Sequence, residues 1–151
     1  MVRAARLRGT ELVGMVGGAL LVAGLFLPWY ATDSSNPHSQ VDGRTGSLTA
    51  WAVHPILRWL LLAAATAPFL LAWIILRGHA LSWARGEMTV VTSIAAFGLI
   101  AYNGFVDRPG DIAISLRAGF AAALVATLLM IGAAAKRSSE SERPRKPPGT
   151  I

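Results

Sequence analysis

The sequence predicts an all-α membrane protein with four transmembrane helices in an up-down bundle and a disordered C-terminal tail. The first observation is the stretch between Arg58 and Arg77, which contains no charged residue. At about 1.5 Å per residue, this stretch nearly crosses the ~30 Å hydrocarbon core of a bilayer. The second observation is the composition, in which 54% of the 151 residues are hydrophobic and 15% are charged. The third is that three further apolar stretches share this pattern.

The composition also excludes several kinds of chemistry. The chain has no cysteine, which excludes disulfides, thiolate metal sites and cysteine nucleophiles. A net charge of +6 can indicate a nucleic-acid-binding protein. Here, however, the basic residues lie beside the apolar stretches and in both termini, where membrane orientation and anionic lipid explain them. We therefore expect the lipid bilayer, and no nucleic acid, as a partner.

Residues 12–29 are predicted to form the first helix. A basic start followed by an apolar stretch is also typical of a signal peptide, but bulky residues 28–30 stand where a peptidase requires small ones. Gly14 and Gly18 have the four-residue spacing that lets two helix backbones approach closely in lipid. We favour a neighbouring helix of the same chain on that face over a second copy.

Residues 30–55 form the longest polar stretch and are predicted to be an outer loop. The stretch is rich in turn-forming residues, and a small hairpin around Asp42-Gly43 would have to pack on the helix ends to be stable. His38 and His54 lie in or beside this loop, and neither has a companion ligand at close spacing. We expect both to be exposed loop residues rather than metal ligands.

The second helix is predicted over residues 56–76. Pro68 should kink it, because proline removes one backbone hydrogen bond. Trp59 and Trp73 are far enough apart to lie at opposite membrane interfaces. Arg58, one turn from the helix start, either extends outward to the interface or pairs with an acid of the outer loops.

The third helix is predicted over residues 88–106, with a second outer loop at 107–115. It is the most polar of the four, and Tyr102 and Asn103 lie near its outer end. An amide at that depth more often bonds another helix than a substrate. The loop contains Pro109-Gly110, a pair typical of a type II turn.

The fourth helix is predicted over residues 116–135, ending at Lys136. Two rows of small residues recur in it every four positions: Ala118, Ala122 and Ala126, and Gly119, Ala123 and Thr127. Such rows are typical of helix-packing faces. Residues 137–151 are rich in proline and charge and cannot bury enough apolar surface to fold alone, which predicts a disordered tail.

The distribution of lysine and arginine predicts the orientation. Most of them lie before the first helix, between the second and third, and after the fourth. The two other loops, with their boundary residues, contain Arg44, Arg58, Arg108 and Arg117. The positive-inside rule therefore predicts a multi-pass protein of the cell (inner) membrane with both termini in the cytoplasm.

No familiar catalytic motif is present in the sequence, and no predicted span carries an acid or histidine at mid-depth. We therefore expect no enzyme activity, no cofactor and no metal. The prediction is an accessory or scaffolding protein whose glycine and alanine faces bind partner helices, either of another membrane protein or of a second copy. The alternative is a small channel or transporter subunit, with Arg58, Tyr102 and Asn103 lining an outward-facing polar vestibule.

Three short motifs carry a family resemblance. They are Leu-Pro-Trp-Tyr at residues 27–30, Ser-Leu-Thr-Ala-Trp at 47–51 and Arg-Pro-Gly at 108–110. In these motifs the chain resembles uncharacterised small four-helix integral membrane proteins of actinobacteria. The resemblance implies a location in the bacterial inner membrane and no known activity.

Overall fold

The computed structural model describes residues 7–78, 86–110 and 112–141, which are mainly helical. The helices are α1 (Gly9–Leu25), α2 (Ala50–Val53), α3 (Leu57–Arg77), α4 (Glu87–Ala101) and α5 (Ala118–Ser141), and α4 continues into a π-helical segment, Tyr102–Val106. The strands are β1 (Pro28–Ala31), β2 (Ser47–Thr49) and β3 (Ser115–Leu116). The prediction of a mainly helical chain is confirmed, whereas a purely α fold is wrong because a small sheet is present.

The four long helices pack in a ring in which α1 and α4 each contact both α3 and α5. Helices α1 and α5 run antiparallel, since Gly14 lies near Ala133 and Gly24 lies near Ala123. The interior of the ring is apolar, with fully buried Leu21, Leu61, Ile100 and Met130 among its largest side chains. Close van der Waals packing of these side chains holds the four helices side by side.

Three helices are long and apolar enough to cross a membrane: α3, α4 with its π-helical segment, and α5 as far as Ser139. Helix α1 has 17 residues, slightly fewer than the about 20 that a span needs. It ends earlier than the predicted residue 29, because the chain turns at Phe26 and enters strand β1. The four-span prediction is therefore not confirmed, while three spans support a location in the membrane.

The outer surface of the bundle is apolar on every long helix. Large hydrophobic side chains such as Val16, Leu70, Val91 and Leu128 are more than half exposed. A soluble protein rarely leaves such extended apolar surface in water, whereas lipid solvates it without cost. The apolar outer surface and the three long apolar helices thus both support a location in the membrane.

A three-stranded sheet closes one end of the bundle, where residues 30–55 and 107–115 had been predicted to be loops. Its central strand, β1, pairs antiparallel with both β2 and β3. A tight hairpin turn also occurs at Val41 and Arg44, with Asp42 and Gly43 both in the left-handed region. The sheet packs against the helix ends, because Trp29 and Tyr30 of β1 are fully buried.

Helix α5 extends beyond the predicted stop at Lys136 and ends at Ser141. Arg137 is buried and pairs with Glu11 of α1 at 2.6 Å, which gives the added helical turn a fixed neighbour. The predicted disordered tail therefore starts too early, since residues 137–141 are helical. Its remainder, residues 142–151, lies outside the described residues, as does the α3–α4 connection at 79–85.

Candidate functional site

The glycine pair of α1 faces α3 within the same chain. A Cβ atom placed on Gly18 would lie 2.6 Å from the backbone oxygen of Ala65, and one on Gly14 would lie 3.4 Å from Pro68 Cβ. The two helix backbones therefore approach most closely at Gly18. This is the intramolecular packing that the sequence favours. Helix α3 of the same chain therefore covers the glycine pair.

Two rows of small residues on α5 are predicted to be packing faces, and the row of Ala118, Ala122 and Ala126 is only partly buried. Ala118 is exposed and Ala122 half-buried, while only Ala126 is fully buried. The second small-residue row of this helix, Gly119, Ala123 and Thr127, is buried along its whole length. Both rows have the same spacing, so spacing alone did not distinguish the two faces.

Arg58 lies among aromatic rings at the sheet end of α3. Its Nη1 atom donates to the carbonyl oxygen of Trp51 at 3.0 Å, and its guanidinium lies 5.0 Å from the Trp51 ring and 5.6 Å from the Trp59 ring. Cation–π contacts of this kind contribute about 0.5–2 kcal/mol each. Arg58 thus anchors two tryptophans at the bundle end, and among the described residues no outer-loop acid forms the predicted ion pair with it.

Tyr102 and Asn103 lie in the π-helical segment and do not join Arg58. The Asn103 side chain donates to the carbonyl oxygen of Leu99 in its own helix at 2.8 Å, and the Tyr102 side chain is half exposed. No contact among the described residues links either side chain to Arg58. The predicted vestibule of Arg58, Tyr102 and Asn103 is therefore not assembled by side-chain contacts.

A buried polar pair that sequence reasoning missed lies beneath the sheet. The Tyr30 hydroxyl lies 2.8 Å from His54 Nε2 and 3.3 Å from the carbonyl oxygen of Asn103. The rings of Trp29 and Tyr30 contact His54 edge-on, and His54 is only 9% exposed. The expectation that His54 is an exposed loop residue is wrong, because the sheet folds over it.

The Tyr30–His54 pair is neutral and joins three parts of the fold. Burial lowers the pKa of His54, and burial raises the pKa of Tyr30, an effect that the charge of Arg108 partly offsets. The hydrogen bonds tie β1 to the segment before α3 and to the π-helical segment. Such segments often occur at functional positions in helices. The pair therefore holds the sheet in a fixed place on the bundle.

We expect the protein to lose thermal stability as the pH falls below about 6.5, the ordinary pKa of histidine. Because the pKa of His54 is lowered in the folded state, the unfolded chain binds a proton more readily. The contribution to the free energy of unfolding is complete above the unfolded pKa and is lost as the pH falls through the folded pKa. Thermal unfolding in detergent from neutral to mildly acidic pH measures it.

Two histidine variants make this test specific. His54→Gln should flatten the pH dependence, whereas His38→Gln, at an exposed position, should leave it unchanged. A profile that His38→Gln flattens and His54→Gln leaves intact would contradict the assignment.

An apolar groove of about 290 Å³ opens between α3 and α4 in the half of the bundle away from the sheet. Small residues of α3, Ala63 and Ala67, lie in its wall beside Thr66, and α4 contributes Thr89 and Thr92. The Thr66 hydroxyl donates to the carbonyl oxygen of Ala63 at 2.6 Å. It therefore does not donate to the carbonyl oxygen of residue 64, which loses its helical hydrogen bond because Pro68 has no N–H. The Thr92 hydroxyl likewise bonds its own helix, at Met88. The groove thus presents an apolar surface in which small residues lie beside four larger side chains, Leu70, Leu71, Ile74 and Met88.

Within the described residues, no group of three or more histidine, aspartate or glutamate side chains is placed to hold a metal ion. Comparison of the chain with protein-family models, curated proteins and solved structures found no match. The resemblance to small actinobacterial membrane proteins stays a prediction.

Proposed function

We propose that this chain is a non-enzymatic accessory or scaffolding protein of the cell (inner) membrane, with all four long helices embedded and both termini in the cytoplasm. The observation that carries the proposal is the groove between α3 and α4. It is open to the side of the bundle, and its apolar lining includes the small residues Ala63 and Ala67 and two threonines that bond their own helices, which suits a partner helix.

The groove replaces the glycine and alanine faces as the proposed docking surface. Gly14 and Gly18 are covered by α3, and the buried row of α5 is covered by α1. Ala63 and Ala67, four residues apart on α3, keep a small-residue face open to the groove. Close approach at such a face is the usual route to helix association in lipid, since apolar burial supplies no driving force there.

The neighbours of α1 support the proposal that it is embedded. It packs between α3 and α5, both of which are long enough to span, and its exposed Leu12, Val13 and Val16 continue their apolar surface. If α1 lay outside the bilayer, these exposed apolar side chains would be in contact with water, which is unfavourable. In the proposed topology the sheet follows α1 on the outer side of the membrane, and a helix of 17 residues then suffices for this part of the crossing.

The channel or transporter hypothesis has less support. It requires Arg58, Tyr102 and Asn103 to meet around a wet cavity. Instead Arg58 is held by Trp51 and Trp59, and the Asn103 amide bonds its own helix. Each of these two side chains thus has a local hydrogen-bond partner, while the buried Nε atom of Arg58 has none among the described residues.

Single cysteines test the proposal cleanly, because the chain has none of its own. We expect Ala67→Cys, in the groove, to cross-link in native membranes to a partner subunit or to a second copy, which mass spectrometry would identify. Val125→Cys, half exposed on α5 away from the groove, is the matched control and should give little product. Ala67→Leu should abolish co-purification of the same partner in mild detergent, since the larger side chain fills the groove.

Two results would overturn the proposal. One is equal cross-linking from positions 67 and 125, which would indicate random collision. The other is a protein that purifies alone from mild detergent and conducts solutes in liposomes, which would favour the channel hypothesis.

A further inference from the structure

One edge of the Arg58 guanidinium has no partner in the part of the chain that the structure describes. The Nη1 atom donates to the carbonyl oxygen of Trp51 at 3.0 Å. The Nε atom is buried and has no hydrogen-bond partner among the described residues, and no described residue forms a hydrogen bond or an ion pair with Nη2. A buried donor without an acceptor is costly, which indicates that a group from outside the chain accepts from it.

This edge has the shape that a phosphate requires. The N–H of Nε and one N–H of Nη2 point the same way in the plane of the guanidinium, so together they can donate to two oxygens of one phosphate. The other edge with two donors includes Nη1, which already donates to Trp51. The ammonium of a lysine is a point charge and offers no such edge. The arrangement therefore suits an oxyanion whose two oxygens lie side by side.

We propose that the Nε and Nη2 edge of Arg58 binds the phosphate of an anionic phospholipid, in the membrane leaflet at the sheet end of the bundle. Arg58 is the second residue of the candidate span Leu57–Arg77, which places it near the depth of lipid phosphates. The lipid then supplies the acceptor that the buried Nε atom lacks among the described residues. The proposal rests on the membrane location of the helices and not on a partner in the α3–α4 groove.

Aromatic rings hold Arg58 in place for this contact. Its guanidinium lies 5.0 Å from the Trp51 ring and 5.6 Å from the Trp59 ring, and Phe26 stacks on Trp51 at 4.9 Å. A guanidinium that is fixed before binding loses less conformational entropy than a free surface arginine does. Trp59 is 55% exposed, so its ring can turn and admit a phosphate oxygen to Nε. Tryptophan also favours the interface between lipid and water, where the phosphates lie.

An apolar strip on α3 continues from Arg58 toward the middle of the membrane. Leu62 and Phe69 follow Arg58 by four and eleven positions, so they lie on the same face of the helix. Phe69 is 43% exposed and Leu62 is half-buried. One acyl chain of the lipid lies along this strip. A soluble anion makes no contact with it, so the strip favours a lipid as the source of the phosphate.

Native mass spectrometry of the detergent-solubilised protein, titrated with phosphatidylglycerol or phosphatidylcholine, tests the proposal. We expect phosphatidylglycerol to bind more tightly, because the choline cation is repelled by Arg58. Arg58→Gln should weaken phosphatidylglycerol binding about tenfold, or about 1.4 kcal/mol. The matched control is Arg44→Gln, which should leave the affinity unchanged. Arg44 is exposed at the same end of the bundle and also donates to a carbonyl oxygen of α2, that of Ala52.

Two further variants separate the shape of the site from its charge. Arg58→Lys keeps the charge without the two-donor edge and should bind phosphatidylglycerol nearly as weakly as Arg58→Gln. Trp59→Leu changes no charge and keeps an apolar side chain at the interface, yet it should weaken binding about threefold because one cation–π contact is lost. Circular dichroism of each variant verifies that the helices are retained.

Three results would overturn the proposal. The first is equal affinity for the two lipids, or an equal loss from Arg58→Gln and Arg44→Gln. The second is full affinity in Arg58→Lys, which would mean that charge alone attracts the lipid. The third is displacement of the lipid by inorganic phosphate at similar concentration, because the site would then recognise a free anion.

Discussion

Arg137→Met is expected to lower the free energy of unfolding by about 3–5 kcal/mol, because it leaves the Glu11 carboxylate buried without its partner. Both side chains are at most 8% exposed and meet at 2.6 Å. The pair joins the first turn of α1 to the last part of α5, so its loss should also loosen the closure of the helix ring. Chemical unfolding in detergent, followed by circular dichroism, measures the effect.

Two further variants show whether the cost comes from the unpaired charge. Lys136→Met, at the neighbouring exposed position, should change the stability by no more than about 0.5 kcal/mol. The double variant Glu11→Leu/Arg137→Met removes both charges and should recover most of the loss, as apolar replacements of buried ion pairs commonly do. If Arg137→Met costs no more than Lys136→Met, the ion pair is not buried in the folded protein.

The helices were predictable because their signal is local. The charge-free stretch between Arg58 and Arg77 predicts α3 almost to the residue, since a long apolar run has only one stable form in lipid. The same reliance on local apolar character places the end of the first helix too late, at residue 29 instead of Leu25. Residues 28–31 are as apolar as a helix end, but β1 forms there because β2 and β3 reach it from distant parts of the chain.

The polar contacts were not predictable because both their partners are remote in sequence. The Tyr30 hydroxyl reaches the carbonyl oxygen of Asn103 across 73 residues, and no spacing rule connects two such positions. His54 carries no marker of burial in its own neighbourhood, so an exposed histidine was the natural expectation. The Glu11–Arg137 pair joins opposite ends of the chain in the same way. Contacts between such side chains can be identified only from the tertiary structure, in which the helices bring them together.

The glycine pair of α1 offers a prediction in which two positions of one motif should respond differently. Gly18→Ala is expected to destabilise the protein by about 1–3 kcal/mol, because the new Cβ atom would lie 2.6 Å from the Ala65 backbone oxygen, which cannot move without shifting α3. At Gly14 the nearest atom would lie 3.4 Å away, an ordinary contact. Gly14→Ala should therefore have little effect.

Gly98→Ala is the matched control, because among the described residues no atom lies within 4 Å of its Cβ position in α4. The same substitution there should stabilise the protein by up to about 1 kcal/mol, as alanine favours the helix over glycine. Thermal unfolding of the three variants in one detergent gives their order directly. An equal loss at positions 14 and 18 would mean that the backbones of α1 and α3 approach each other evenly along the motif. The crossing point at Gly18 would then be wrong, because only a local contact of two backbones makes one glycine of the pair irreplaceable.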